Sequence, residues 1–487
     1  MAVSTTKVQA ETKRQAILTI IGLFIMFGFG FLPPIAPITE LGMRVLGVFI
    51  GTIFLWSTVD LLWPSILALL AFALVGYDKL SNILAISLGN DTVWICVLAM
   101  AILGVLEKAR VMDHVITFLL TRKICQGRPW AFTVIWFITG MLLVVLVGNP
   151  IIVTLTLWSI LISLSKRVGF QPGDKWVHLM IIGTAVVDSA SSNLLPFIGL
   201  PLWLFGSVRS ITGQSVNVLH YVAVSIPLVF CYIAAMVFLM RFVFRADVSK
   251  LSNLDMDYFR KDLPPMNKLQ KFLLGYFFFY ILFLAIPSMV PKTSWIGMKW
   301  SAIGIVGGIM FIFIILCVIK VNGKTLMPFN ELASSSIRWN IVFLISVAVS
   351  LSTILMDEST GIREGLLLAL TPVFNGLHPL VFIAVFMLIA VILTNIGNNI
   401  VVALILAPIA ATFSTMYPIN IMGTIALLSF AVNIAFILPS ASPTSAMIFG
   451  HEWIDKKRHW LFTLTICPTL LIVLVCIGYP LSNFFLK

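Results

Sequence analysis

Charged residues are scarce in this sequence: Asp, Glu, Lys and Arg together make up 10% of its 487 residues. In water-soluble globular domains that share is about a quarter. Hydrophobic residues make up 60% of the chain. This balance excludes a soluble domain as the main body of the protein and predicts that the chain lies in a membrane.

Cysteine motifs are missing too. The six cysteines are scattered, and no two have the C-x-x-C spacing of a zinc or redox site. All but Cys125 lie in apolar runs, where a free cysteine packs as a small hydrophobic residue. We therefore expect neither a cysteine-bound metal nor a disulfide framework, and no cofactor apart from a coupling ion.

The sequence also lacks catalytic motifs. It contains no H-E-x-x-H pattern, and the acids Asp60, Asp91 and Asp188 lack the Tyr-Asp or Gly-x-Gly-Asp context of a membrane aspartyl protease. A membrane-embedded enzyme is therefore the least favoured of the functions considered. The net charge of +12 does not indicate a nucleic-acid partner, because the basic residues lie in short loops between apolar runs.

Long apolar runs take the place of these features. Runs of about 18 residues or more can cross a bilayer, and they recur along the chain, for example at 219–240, 273–290 and 461–479. The polar N-terminus and the length of the first run argue against a cleavable signal peptide. We predict an all-α polytopic protein of the cell membrane with about eleven spans, a cytoplasmic N-terminus and an outside C-terminus.

The sequence carries an internal repeat. Similar stretches begin at Val93 and Val342, which are 249 residues apart, and the Gly-Asn pairs that follow have the same separation. Further on, "LLPFIGLPLWLFG" in the first half parallels "ILPSASPTSAMIFG" in the second. Internal repeats of this kind are a common plan of secondary transporters.

Basic residues indicate that the second half is inverted relative to the first. Five of them flank the first Gly-Asn pair: Arg122, Lys123, Arg128, Lys166 and Arg167. The matching segments of the second half carry none, whereas 455–459 carries three basic residues after the double-proline stretch. Such a swap indicates inverted topology. We predict a first repeat at 1–240, a cytoplasmic linker at 241–271 and a second repeat at 272–487.

Two uncharged segments are predicted to enter the membrane and return. The basic flanks of 129–165 lie on one side, so this segment should be a re-entrant hairpin, and 379–412 should be its mirror image. The predicted tips are Gly148, Asn149 and Pro150 in the first hairpin and Gly397, Asn398 and Asn399 in the second. An unpaired amide in hydrocarbon costs several kcal/mol, so these tips should face a water-filled cavity.

Paired prolines predict two broken helices. Pro196 and Pro201 interrupt an apolar span of the first half, and Pro439 and Pro443 interrupt one of the second. A broken helix presents N–H groups that attract anions at one end and carbonyls that can ligate cations at the other. Two tips and two breaks predict one central site, although any single Ser or Thr in a span more often bonds to its own helix.

These features resemble the divalent anion/sodium symporter family, which carries dicarboxylates, citrate and, in some members, sulfate. "AFILPSASPTSAMIFG", from Ala435, is similar to the family's second broken helix, and the hairpins, halves and span number extend the likeness over nearly the whole chain. The resemblance implies a homodimer and an elevator-like motion of the hairpin domain. In the family, Ser-Asn-Thr at each tip binds the substrate carboxylates and nearby carbonyls hold sodium. Here only the asparagine of each tip is kept.

The sequence features and the resemblance together predict two sets of site residues. Those predicted to bind substrate are Gly148, Asn149, Pro150, Pro201, Gly397, Asn398, Asn399, Ser442, Pro443 and Thr444. Those predicted to couple transport to a cation, either sodium or a proton, are Asp188, Ser191, Ser192, Asn193, Thr394, Asn395 and Ala441.

Asp188 lies about twelve residues into an apolar span, where an ionised acid costs roughly 2.5–3.5 kcal/mol. It either pairs with a lysine or caps the broken helix, or it holds a cation or a proton in place of the missing sodium ligands. We predict a secondary active transporter of a small anionic metabolite, a di- or tricarboxylate, driven by a coupled cation or by exchange. An inorganic-anion carrier and an anion channel remain alternatives.

Overall fold

The computed structural model describes residues 2–251, 264–291, 293–321, 323–355, 357–374, 378–414 and 419–486. Within the predicted linker, residues 252–263 lie outside this described part.

Helices account for nearly all regular structure in the first half. They are α1 (Ala2–Gly28), α2 (Glu40–Thr58), α3 (Leu62–Leu74), α4 (Leu80–Ser87), α5 (Asp91–Lys108), α6 (Val111–Leu120), α7 (Pro129–Val147), α8 (Pro150–Val168), α9 (Lys175–Ser191), α10 (Gly199–Thr212) and α11 (Val218–Phe238). A π-helical turn, Leu239–Val243, continues α11. Short 3-10 turns lie at Phe29–Phe31, Lys123–Cys125 and Ser249–Leu251.

The second half has the same character. Its helices are α12 (Lys268–Met289), α13 (Trp295–Val318), α14 (Phe329–Ser335), α15 (Trp339–Leu355), α16 (Ile362–Phe374), α17 (Pro379–Ile396), α18 (Asn399–Ser414), α19 (Ile421–Ala431), α20 (Pro443–Gly450), α21 (Lys456–Val473) and α22 (Tyr479–Phe485). A 3-10 turn lies at Glu358–Thr360, and a π-helical turn, Leu474–Gly478, joins α21 to α22. The two-residue strands β1 (Lys320–Val321) and β2 (Lys324–Thr325) pair antiparallel and are the only strands in the described part.

The apolar helices confirm the predicted all-α, multi-span architecture. Among the described residues, nine helices are long and apolar enough to cross a membrane, or up to eleven if each of two bent helix pairs counts as one span. Only 11% of the span in α1 is buried within the protein, compared with 61% of α7. The exposed apolar face of α1 suits contact with lipid, whereas α7 belongs to the protein core.

The two halves show the same order of helices around two kinds of interruption. α7 and α8 pack side by side and are separated only by Gly148 and Asn149, and α17 and α18 are separated by Gly397 and Asn398. α9 and α10 are interrupted at 192–198, and α19 and α20 at 432–442. Each predicted hairpin is thus a pair of packed helices, and each predicted broken helix is interrupted beside its prolines.

Gly148 shows why the first tip needs a glycine. Its φ of +67° lies in the left-handed region, which side chains with a Cβ rarely adopt. A Cβ added there would lie 2.3 Å from Leu103 Cδ1. The tight reversal between α7 and α8 therefore depends on this residue.

Buried tryptophans hold the first helix pair against α9. The indole N–H of Trp136 donates to Thr184 Oγ1 at 3.0 Å, and that of Trp158 donates to Ile181 O at 3.0 Å. Both side chains are almost fully buried, so each N–H needs such a partner. These contacts make α7, α8 and α9 one packed unit, and they fix the position of the first tip.

Candidate functional site

The two tips and the two helix interruptions meet at one cavity. Its volume is about 460 Å³, within the range of small-molecule sites. The tips contribute 147–152 and 398–400, and the interruptions and the helix starts that follow them contribute Leu195, 197–200 and 442–444. Further lining comes from α5 and from the bend before α15. The convergence of polar tips on one cavity agrees with the predicted central site.

Asn149 and Asn398 cap equivalent helices. Asn149 Oδ1 accepts a hydrogen bond from Ile151 N at 3.2 Å, and Asn398 Oδ1 accepts one from Ile400 N at 2.9 Å. Capping uses only the carboxamide oxygen. Among the described residues neither Nδ2 has a partner, so each tip presents an unused N–H donor group at the cavity.

Four helix N-termini at the tips and interruptions border the same space. α8, α10, α18 and α20 all begin with residues that line the cavity, and Pro150 and Pro443 stand at the first helical positions of α8 and α20. The hydrogen bond from Asn399 N to Ala441 O, at 3.1 Å, places the start of α18 beside the start of α20. Unsatisfied N–H groups and the helix dipoles make this region favourable for an anion.

Asn433 joins the two halves at the cavity. Its Nδ2 donates to Ser189 O at 3.2 Å and lies 3.4 Å from Ser192 Oγ. Its Oδ1 accepts a hydrogen bond from Asn399 Nδ2 at 3.1 Å. One side chain thus connects α9, the interruption after α19 and the second tip.

Most of the predicted substrate-binding residues lie at this cavity. The lining includes Gly148, Asn149, Pro150, Asn398, Asn399, Ser442, Pro443 and Thr444. Pro201 and Gly397 are not part of it. Pro201 is buried within the first turn of α10, and Gly397 has extended backbone behind the tip.

The predicted coupling residues divide into two groups. Ser191 and Ser192 line the cavity, but their hydroxyls donate to carbonyls of their own helix end, Val187 O and Ser189 O. The others lie behind the lining: Asp188, Asn193, Thr394, Asn395 and Ala441.

Asn395 is used to hold the chain together. Its Nδ2 donates to Val391 O and Ile434 O, and its Oδ1 accepts from Phe436 N and Ile437 N. All the hydrogen-bonding capacity of the amide is therefore used by the backbone. The neighbouring Thr394 donates to Val432 O at 2.8 Å. Both side chains tie α17 to the interruption after α19 and do not point into the cavity.

Asp188 is enclosed between α7, α8 and α9. Its side chain is 1% exposed, and its Oδ2 accepts a hydrogen bond from Thr154 Oγ1 at 2.7 Å. Its Oδ1 has no partner among the described residues. No lysine pairs with it in this part of the chain, so the predicted ion pair is not formed there.

Gly140 leaves the space that this carboxyl group occupies. A Cβ at that position would lie 2.3 Å from Asp188 Oδ1. We expect Gly140→Ala to destabilise the protein by about 1–3 kcal/mol, because overpacking displaces the buried side chain. Thermal unfolding of the detergent-solubilised variant measures this loss.

Gly275→Ala is the matched control, since a Cβ at this glycine of α12 would meet nothing within 4 Å. It should unfold at the wild-type temperature or above, because alanine is the better helix former. Equal melting temperatures for wild type, Gly140→Ala and Gly275→Ala would contradict the proposed tight fit around Asp188.

Several lining residues were not predicted from the sequence. Ser336 and Arg338 lie in the 78° bend between α14 and α15, Asn340 lies in the first turn of α15, and Glu107 comes from the end of α5. The internal repeat was the available signal, since the first half has a similar bend of 51° between α4 and α5. The second bend brings these polar residues to the cavity.

The family model described as "Citrate transporter" (CitMHS) matches residues 51–427. The chain belongs to the citrate transporter family. This membership confirms the predicted resemblance to anion symporters, and the apolar helices agree with a multi-pass membrane protein.

Two curated proteins are similar to this member of the citrate transporter family. One is the sodium-dependent dicarboxylate transporter SdcS of Staphylococcus saprophyticus, 24% identical over 290 residues, which are 57% of this chain and 54% of that protein. The other is the sodium-dependent low-affinity dicarboxylate transporter 1 of Caenorhabditis elegans, 24% identical over 317 residues, 59% of this chain and 50% of that protein. The chain spans about half the length of the curated relatives it matches.

A solved structure shares the fold. The YdaH transporter of Alcanivorax borkumensis superposes with a TM-score of 0.50 at 12% sequence identity, over 83% of this chain and 88% of that one. At this identity the likeness concerns the architecture alone.

Proposed function

We propose that the protein is a secondary active transporter of a small carboxylate with two or three carboxyl groups. The main support is the symmetry of the cavity. Asn149 and Asn398 are 249 residues apart in related halves, and each caps a helix whose N-terminus faces the cavity. An anion there accepts hydrogen bonds from both amide Nδ2 groups and from first-turn N–H groups. The dicarboxylate transporters among the relatives support the same substrate class.

Uptake into proteoliposomes tests this proposal. The panel consists of radiolabelled succinate, malate, citrate and sulfate, with sodium, proton and counter-substrate gradients varied separately. We expect saturable uptake of at least one carboxylate, and exchange of internal for external substrate. Uptake of sulfate and of none of the carboxylates would show that the substrate is an inorganic anion. Single-channel currents without counterflow would indicate a channel.

We further propose that Asp188 takes up the coupling ion, and that this ion is a proton. A sodium ion needs several oxygen ligands, whereas Asp188 has one hydroxyl neighbour, Thr154, and no charged residue of the described part acts on it. The nearest titratable side chain on its own helix is His178, ten residues away, or about 15 Å along the helix. A proton neutralises a buried carboxylate without further ligands.

The second half of the chain supports a special role for this acid. The positions 249 residues after Gly140 and Thr154 hold Ile389 and Ala403, and the position matching Asp188 by the Leu-Pro pairs, 243 residues on, holds Ala431. The same place in the related half is therefore filled by apolar residues. The fold itself does not require a carboxylate at this depth, which favours a function for Asp188 in binding an ion.

We also propose how transport takes place. The two hairpins are re-entrant and move with the broken helices as one body, so that an elevator-type motion within a homodimer opens the cavity alternately to the two sides of the membrane. The Lys- and Arg-bearing loops support a cytoplasmic N-terminus and an outside C-terminus. Labelling of single cysteines introduced near each end, on intact cells and on inverted vesicles, tests the orientation, and cross-linking in the membrane tests the dimer.

A further inference from the structure

Arg338 is the one basic residue among the residues that line the described cavity. It immediately precedes α15, and its carbonyl accepts hydrogen bonds from Ile341 N at 2.9 Å and Val342 N at 3.1 Å. The backbone of Arg338 is therefore held at the start of a long helix. The residue is exposed and lines the cavity.

The guanidinium of Arg338 forms no ion pair within the described part of the chain. Other basic side chains do so: Lys108 with Glu331, Arg110 with Asp113, Arg209 with Asp91, Lys250 with Asp174 and Arg458 with Asp455. Glu107 also lines the cavity, but it does not come within ion-pair distance of Arg338. Glu107 acts on Arg338 only through a longer-range charge interaction, so the five N–H donors of the guanidinium have no ion-pair partner among the described residues.

The related half shows that the bend itself does not need this arginine. The position 249 residues before Arg338 is Gly89, in the equivalent bend between α4 and α5. In that half, Asp91 follows the bend and is neutralised by Arg209 at 3.2 Å. The first bend therefore carries a closed ion pair, whereas the second presents an unpaired cation to the cavity.

The cavity consequently has two separate groups that attract anions. One is formed by the tips, with Asn149, Asn398 and the helix N-termini, and the other is Arg338 on the bend before α15. The neutral amides and helix N-termini can donate hydrogen bonds to one carboxylate. The planar guanidinium can bind a second carboxylate through two parallel N–H···O hydrogen bonds. We propose that Arg338 binds the second carboxylate of the substrate and so selects dianions over monoanions. This inference rests on the proposed function.

The test is a competition assay with two ligands of nearly the same size, succinate and its monoamide succinamate. Each is added as a competitor of the labelled carboxylate that wild-type protein takes up, and the concentration that halves uptake is measured. The two competitors differ in the charge at one end. We expect wild-type protein to prefer succinate by at least about ten-fold, since a hydrogen bond to a charged group contributes about 1.5–3 kcal/mol. Arg338→Gln should reduce this preference towards one, and Arg338→Lys should leave an intermediate value.

Lys108→Gln is the matched control. Lys108 carries the same charge and follows the lining residue Glu107, but it pairs with Glu331 at 2.9 Å and does not line the cavity. This variant should keep the wild-type preference. A merely structural role of Arg338 would weaken both competitors equally and leave their ratio unchanged.

The outcomes separate the two proposals. Wild-type uptake combined with an unchanged succinate-to-succinamate ratio in Arg338→Gln would overturn the role of Arg338 alone. If the wild-type protein takes up none of the carboxylates, the proposed function fails, and this inference fails with it. A wild-type protein that accepts succinamate as well as succinate also overturns the inference, because no second carboxylate is then recognised.

Discussion

Asn149→Ala and Asn398→Ala are each expected to abolish carboxylate uptake, lowering the initial rate by about two orders of magnitude. Each substitution removes a donor to a charged group, a contact of about 1.5–3 kcal/mol, and also loosens the helix start that presents the neighbouring N–H groups. Initial rates of uptake in proteoliposomes, normalised to the amount of reconstituted protein, measure the effect.

Two further variants separate anion binding from helix capping. Asn149→Asp keeps an oxygen that caps α8 but removes the N–H donor and adds a repelling charge, so uptake should still be lost while the protein stays folded. Asn217→Ala removes a comparable cap at α11, where Asn217 Oδ1 accepts from His220 N at 3.1 Å, and it should retain uptake. Normal uptake by both alanine variants at the tips would place the substrate elsewhere.

Asp188→Asn is expected to abolish accumulation of substrate against its gradient while exchange continues. The amide has almost the same shape as the carboxyl group and cannot release or bind a proton in the transport cycle. The proposed substrate site should be unchanged, because Asp188 lies behind the cavity lining. Uptake driven by an imposed proton gradient, measured beside counterflow in the same vesicles, shows the two effects separately.

Varying the proton and sodium gradients separately in this experiment identifies the coupling ion. For wild-type protein we expect accumulation with a proton gradient and no sodium. Accumulation that needs sodium and is lost in Asp188→Asn would make the acid a sodium ligand. Asp174→Asn serves as control, because this carboxylate lies at the surface with Lys250 at 3.0 Å. If Asp188→Asn accumulates substrate like the wild type, the acid is structural.

Much of the architecture was predictable because it depends on local chemistry. Proline and glycine mark the ends of helices, so the predicted start of the first hairpin at 129 and of the second at 379 coincide with Pro129 of α7 and Pro379 of α17. Apolar length predicted the spans, the 249-residue repeat predicted which tips correspond, and the Leu-Pro pairs predicted which interruptions correspond. Each of these features is encoded within a few neighbouring residues or in one regular spacing.

The use of each polar side chain was harder to predict. Asn395 and Asn398 lie three residues apart in one motif, yet Asn395 satisfies the backbone around Ile434 and Phe436, while Asn398 faces the cavity. This difference depends on packing against residues about 40 positions away. Arg338 was missed for a similar reason, since a basic residue at the start of an apolar run has the usual pattern of a membrane boundary. Only the bend at 78° brings it to the cavity.

The bridge made by Asn433 has a mechanical consequence. It hydrogen-bonds to Ser189 of one half and to Asn399 of the other, so it restrains the second tip relative to α9. The two halves cannot separate at this point without breaking these hydrogen bonds. For the proposed elevator motion, this favours displacement of the second tip and α9 as one unit, with the change of shape in the connections around them.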